Sequence, residues 1–186
     1  MQILFSFLII IMLGLGSIFG FYNNMVSTSE NCNAKWHQVE NQMQRRADLI
    51  PNLVETVKGY AKHEEAVFKA VTDAREQLLQ AKNIKDIQTA EGNLNNALGR
   101  LLAISVNYPD LKANQNFIQL QDELAGTENR IAVARQDYNN SVQVYNTKIK
   151  SLPYSMFAGT FGFTEKEYFK IEETKKEVPK VNFNKQ

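Results

Sequence analysis

Apolar residues recur in two distinct rhythms along this chain, and each predicts a different element. Over residues 3–22 they are almost continuous, and no Asp, Glu, Lys, Arg or His occurs before Glu30. Twenty helical residues at about 1.5 Å each reach roughly 30 Å, the hydrocarbon thickness of a bilayer, so this stretch predicts an N-terminal transmembrane helix. From residue 36 the rhythm changes to alternating threes and fours: Trp36, Val39, Met43, Arg46, Ile50, Leu53, Val57, Tyr60, Glu64, Val67, Val71, Ala74, Leu78 and Ala81. An average step of about 3.5 keeps one helix face turned toward a partner, as helical bundles and coiled coils require. The phase carries through Gly59, so the pattern favours one long helix, kinked at Pro51 where a backbone hydrogen bond is lost. A turn back near residues 59–62 is the alternative, because glycine weakens a helix interior.

A second helix is predicted from Asn83, whose side chain can cap the first turn while Asp86 sits at the third helical position and reaches back. Its inward face reads Ile87, Leu94, Leu98, Leu101 and Ser105, and Pro109 should end it at Tyr108. After a loop over residues 109–113, a third helix is expected over residues 114–151. Its stripe is Phe117, Leu120, Leu124, Ile131, Ala134, Tyr138, Val142, Tyr145, Ile149 and Leu152. Amphipathic segments joined by short loops make an antiparallel bundle. The expected fold is therefore all-α: a transmembrane helix followed by an elongated antiparallel bundle of three long helices, or four if the first turns back near residues 59–62. Three regions follow: an anchor over 1–22, a bundle with an aromatic cap over 23–163, and a charged, partly flexible tail over 164–186.

The span differs from a cleavable signal peptide in lacking a basic n-region and in an apolar run that continues through Phe21 and Tyr22. Glu30 and Asn31 before Cys32 argue against a lipid-attachment site. Basic residues stay preferentially cytoplasmic, and Lys35, Arg45 and Arg46 all follow the span. The chain is thus expected in the cytoplasmic membrane as a single-pass protein, N-terminus outside and bundle in the cytoplasm. One cysteine allows no internal disulfide and decides no compartment.

Charge changes the picture mainly by exclusion. Lys and Arg number 21 against 20 Asp and Glu, so there is no basic excess of the kind phosphate contacts demand, and no nucleic-acid partner is expected. His37 and His63 lie 26 residues apart, about 39 Å on a continuous helix, too far to share an ion. Position 67, where a zinc-protease helix opening at His63-Glu64 needs its second histidine, is Val67. No glycine-lysine pair makes a phosphate loop, and Cys32 has no basic neighbour before Lys35 to activate it. No catalytic, cofactor-binding or metal residues are assigned.

Arg46 and Glu64 stand in the first stripe, and Glu128 and Arg135 lie beside the third helix's stripe one heptad apart. They read as a buried charge network that fixes helix register, since an unpaired buried charge costs several kcal/mol. The alternative is an enzyme that uses this cluster. In the tail, Tyr154, Phe157, Phe161, Phe163, Tyr168, Phe169 and Phe183 supply seven of the chain's nineteen aromatics. They suit either a cap on the bundle's end or a docking surface. Beyond Thr164, mixed lysines and glutamates suggest a solvated helix that frays.

Several blocks resemble the LemA family of bacterial membrane-anchored proteins. They are Tyr22-Asn23; Arg45-Arg46-Ala47-Asp48-Leu49-Ile50-Pro51-Asn52-Leu53-Val54; Tyr108-Pro109-Asp110-Leu111-Lys112-Ala113-Asn114; and Gly126-Thr127-Glu128-Asn129-Arg130-Ile131-Ala132-Val133-Ala134-Arg135, followed by Tyr138-Asn139. The resemblance runs in the family's order to Gly162-Phe163 and weakens after Phe169. It implies an N-terminal anchor and an all-α bundle, in a family whose biochemical role is poorly defined. One departure is Val106, where many members carry a glutamate two residues before the loop tyrosine. The expected role is a membrane-anchored scaffold without catalysis of its own. Its partners would be the bilayer, through residues 3–22, and other proteins, through the bundle surface or aromatic tail.

Overall fold

The computed structural model describes residues 1–170, apart from the side chains at 3, 10, 11 and 13–15; Phe183 and most of the charged tail lie outside the described residues. Its elements are helices throughout: α1 (Gln2–Lys58), α2 (Glu65–Gln80), α3 (Ile84–Ile104), the single-turn α4 (Pro109–Lys112), α5 (Gln115–Lys150) and a 3-10 turn at Tyr154–Met156. α1 pairs most extensively with α5, and α2 with α3. Lys148 against Asn24 and Thr28 (both 2.7 Å) and Asn114 against Tyr60 (2.9 Å) mark the two ends of an antiparallel α1–α5 seam. Arg75 donating to the carbonyl of Ala47 at 2.7 Å fixes α2 antiparallel to α1. The result is an up-down bundle of four long helices.

The first stripe therefore does not belong to one helix. α1 continues through Pro51 but stops at Lys58, and the chain turns over residues 59–64, as the alternative reading allowed. The seam supplies the reason, because α5 begins opposite the end of α1 and a continuous helix would have carried residues 65–81 past any partner. Turning back buries Phe68, Val71, Ala74 and Leu78 instead. The preserved phase was misleading: Tyr60 is 40% exposed, while Ala61 and Phe68, each one step off the stripe, are inside.

α3 begins where expected. Asn83 Oδ1 accepts from the Asp86 amide at 2.8 Å, and the Asn83 side-chain amide donates to Asp86 Oδ2 at 2.6 Å. It ends at Ile104, short of Tyr108, in a turn over residues 105–107 whose amides bond to carbonyls three residues back. Pro109 does not merely interrupt a helix; it opens α4, since its missing N–H costs nothing at a first helical position. Leu111, fully buried, anchors that turn to the core. Asn114 then caps α5 by accepting from Phe117 N at 3.0 Å. All the expected inward residues of α3 are buried, and those of α5 are buried or half-buried except Leu152, 77% exposed.

Met25 is the first buried residue described on α1. Ahead of it Leu4, Phe5, Phe7, Leu8, Ile9 and Met12 are exposed on the same continuous helix. The segment expected to span a membrane is thus helical; among the described residues, however, no helix is long and apolar enough to cross one. Where α1 enters the bundle, Phe21 meets Tyr154 edge-on (ring centroids 5.3 Å) and Tyr22 meets Phe161 and Phe163 (5.2 and 5.9 Å). The aromatic segment after α5 thus folds back on α1. Residues 164–170 are not the solvated helix expected there; they form a non-helical strap on the bundle.

Replacing Asn83 by alanine should remove about 1 kcal/mol of unfolding free energy, the usual worth of a helix cap. Leu101→Ala, which empties a fully buried site, should remove about 3 kcal/mol. Urea denaturation of the two variants checks the order.

Candidate functional site

The charged residues of the bundle meet where α1, α3 and α5 face one another. Arg46 is 6% exposed because the heptad phase of α1 turns it inward with Met43 and Ile50. Its Nη1 lies 2.5 Å from Glu128 Oε2 on α5, and its Nη2 donates to Asn95 Oδ1 on α3 at 2.6 Å. Burial lowers the guanidinium's pKa from its ordinary value, and the Glu128 carboxylate partly restores it. One heptad further along α5, Arg135 pairs with Glu91 of α3. Glu91 is 5% exposed, a carboxylate that folding could bury only with a cation beside it.

Three of the four charged residues singled out from sequence, Arg46, Glu128 and Arg135, therefore come together. Glu64 does not: it lies in the turn before α2, more than a dozen residues along from Arg46 and half-exposed, so it belongs to no buried cluster. Glu91 takes its place. It occupies the inward stripe of α3 between Ile87 and Leu94, four and three residues away, the same kind of signal that marked Arg46. The reading of α3 passed over it by stepping a full heptad from Ile87 to Leu94.

Between α3 and α5, Glu91, Glu128 and Arg135 wall a pocket of about 500 Å³ whose lining also holds five side-chain amides, Gln88, Asn95, Gln136, Asn139 and Asn140. The strap closes one side through Phe169 and Lys170. Glu91 and Glu128 are each engaged with an arginine, and guanidinium groups donate but do not accept hydrogen bonds. The chemistry of this wall is polar recognition and register. The histidines lie apart from it: His37 Nδ1 contacts Glu40 Oε2 at 2.7 Å on the surface, and His63 is in the α1–α2 turn. Cys32 is fully buried, close enough to Tyr138 and Tyr145 of α5 to act on both hydroxyls.

The strap itself is held by side chains of α5 to which the sequence assigned no such role. Asn139 Nδ2 donates to Phe169 O (3.0 Å) and its Oδ1 accepts from Phe169 N (2.9 Å). Asn146 does the same for Lys166, at 2.8 and 3.0 Å. The Tyr138 hydroxyl donates to Glu167 O at 3.1 Å. Burial first, then the neighbouring Cys32 and Glu167, push that hydroxyl's pKa up to about 12. The only available signal was Tyr-Asn occurring twice at heptad spacing, Tyr138-Asn139 and Tyr145-Asn146.

These features define an antiparallel four-helix bundle with a first helix that starts well ahead of the core, cross-helix ion pairs and a non-helical strap after α5. The sequence matches the LemA family over residues 35–183, and the chain belongs to that family. Two magnetosome proteins of Paramagnetospirillum magneticum, MamQ 1 and MamQ 2, are 32% identical to it over alignments covering 80% of this chain and 64% of theirs. MamQ of Magnetospirillum gryphiswaldense is 31% identical with the same coverage. The chain thus spans less than two thirds of the length of these relatives.

Glu128→Ala should destabilise the bundle by about 2 kcal/mol, because it leaves the buried Arg46 without its counter-ion, whereas Arg46→Met should cost less and should rescue Glu128→Ala in the double variant. Thermal melts of the three proteins decide this. Folding raises the pKa of Tyr138 from 10.0 to about 12, so it favours the neutral phenol. The resulting stability is present below pH 10 and declines as the pH rises from there toward 12. Tyr138→Phe should flatten part of the fall in melting temperature across that window.

Proposed function

We propose that this protein is a membrane-tethered interaction component of the LemA type: α1 seats its N-terminal portion in a bilayer and presents the bundle as a docking body, with no catalysis of its own. The observation that carries this reading is the continuity of α1. One helix runs from exposed Leu4, Phe5, Phe7 and Met12 into the closed core that begins at Met25. An apolar face left in water is a liability, and lipid is the solvent that suits it. The aromatic contacts at Phe21 and Tyr22 stand where such a segment would leave the hydrocarbon, a level that tyrosine favours. The scaffold half of the reading is supported by the ion pairs, which bind helices to each other and engage Glu91 and Glu128 with arginines.

Flotation on liposomes tests the tether. The full chain should rise with the vesicles and resist alkaline carbonate. Leu8→Lys combined with Met12→Lys should leave it in the dense fraction with unchanged helicity. A wild-type chain washed off by carbonate would overturn the tether. The bundle is proposed to face the cytoplasm, on the strength of Lys35, Arg45 and Arg46 after the apolar stretch. Because Cys32 is buried, the side is read with a cysteine at exposed Val133 and Cys32→Ser. An impermeant maleimide should label it only after lysis; labelling of intact cells would reverse the orientation.

A further inference from the structure

Two asparagines of α5, Asn139 and Asn146, each grip both backbone groups of one strap residue, Phe169 and Lys166 respectively. They are one heptad apart, about 10 Å along a helix, and the three steps of chain from Lys166 to Phe169 cover about 10 Å only when extended. Register and spacing therefore match an extended peptide laid antiparallel to α5. Recognition of backbone by side-chain amides is independent of sequence, since an asparagine offers one donor and one acceptor to the pair every residue carries.

Two side chains of the strap are read as well. Phe169 is 4% exposed, stacked on Trp36 (5.6 Å, 14°), edge-on to Tyr138 and beneath the Arg135 guanidinium at 5.0 Å. Lys166 Nζ donates to Asn33 Oδ1 at 2.9 Å and lies 5.6 Å from the centre of the Tyr145 ring. The intervening Glu167 and Tyr168 point their side chains to solvent. Where the strap reaches Lys170 O, which accepts from Gln88 at 2.8 Å, the amide-lined cavity begins. The amides there offer further backbone partners to a ligand longer than the strap.

We infer that the surface beside the α1–α5 seam is a peptide-recognition groove, which the chain's own residues 165–170 occupy, and that its ligand in trans is an extended segment of a partner protein carrying Lys-x-x-Phe or a close equivalent. The inference deepens the interaction role and depends on it. The strap is then a competitor whose tether gives it an effective concentration on the order of millimolar. Only a partner segment of higher affinity, or a weakened strap, opens the groove.

The test uses the full chain in detergent micelles and a fluorescent peptide of this chain's residues 164–170. Phe169→Ala weakens the cis strap without touching the groove. That variant should bind the peptide at least about tenfold more tightly than wild type by anisotropy, with a change in emission from Trp36, the only tryptophan. Adding Asn139→Ala should return the affinity to the wild-type level or below. No saturable binding by a helical Phe169→Ala chain, or binding indifferent to Asn139→Ala, overturns the groove. Should Phe169→Ala not fold, hydrogen exchange at residues 165–170 of wild type is followed with excess peptide. Acceleration supports displacement, and unchanged exchange overturns it. A wild-type dimer that Asn139→Ala with Asn146→Ala converts to monomer would make the occupant a second copy and sink the partner reading. Loss of flotation with peptide binding intact would remove the tether alone, so the two proposals fail separately.

Discussion

The antiparallel packing of α1 against α5 is the constraint to which the other parts of this molecule answer. From Asn24 facing Lys148 to Tyr60 facing Asn114, two helices share one seam, with Cys32, Val39, Ile50 and Leu53 of α1 and Phe117, Ile131, Val142 and Tyr145 of α5 buried. At about 2 kcal/mol for each buried aliphatic side chain, such a seam outweighs any single cap or ion pair. Its length also sets where α1 must end, because beyond Lys58 there is no α5 left to cover it. The α2–α3 hairpin then closes the exposed flank.

Two arginines are placed where this arrangement needs specificity more than hydrophobic contact. Apolar stripes tolerate sliding by a heptad, but Arg46 must meet both Glu128 and Asn95, and Arg135 must meet Glu91. Sliding one helix past another would leave a buried guanidinium or the buried Glu91 carboxylate unpaired, at a cost of several kcal/mol. The ion pairs thus select one register among near-equivalent ones.

The groove follows from the same geometry. A heptad repeat places Tyr138-Asn139 and Tyr145-Asn146 in one line beside the seam, and α1 supplies Asn33 and Trp36 from the opposite bank. Because the strap starts at the aromatic cap beside Tyr22 and runs away from the N-terminus, the Phe169 slot lies at Trp36, about 21 Å along α1 from Tyr22. A bundle tethered through its first helix would hold this groove within reach of partners close to the same lipid surface.

What the sequence by itself determined is what depends on local periodicity and capping. Asn83 announces α3 because its side chain bonds an amide three residues on, and the stripes of α3 and α5 name their buried residues because neither helix is interrupted. The family blocks around Arg46 and Glu128 likewise marked the residues that proved to pair. The turn at residues 59–64 was not decidable in the same way, since a phase that survives a break looks like a helix; only the start of α5 opposite Tyr60 makes continuation unfavourable. Glu91 was visible as a charge in a stripe, but its partner Arg135 is on another helix, and no periodicity states which helices meet. The strap was least legible of all. Its asparagines bind backbone, which leaves no complementary pattern in residues 164–170, so only the tertiary structure could bring Asn139 to Phe169 and Asn146 to Lys166.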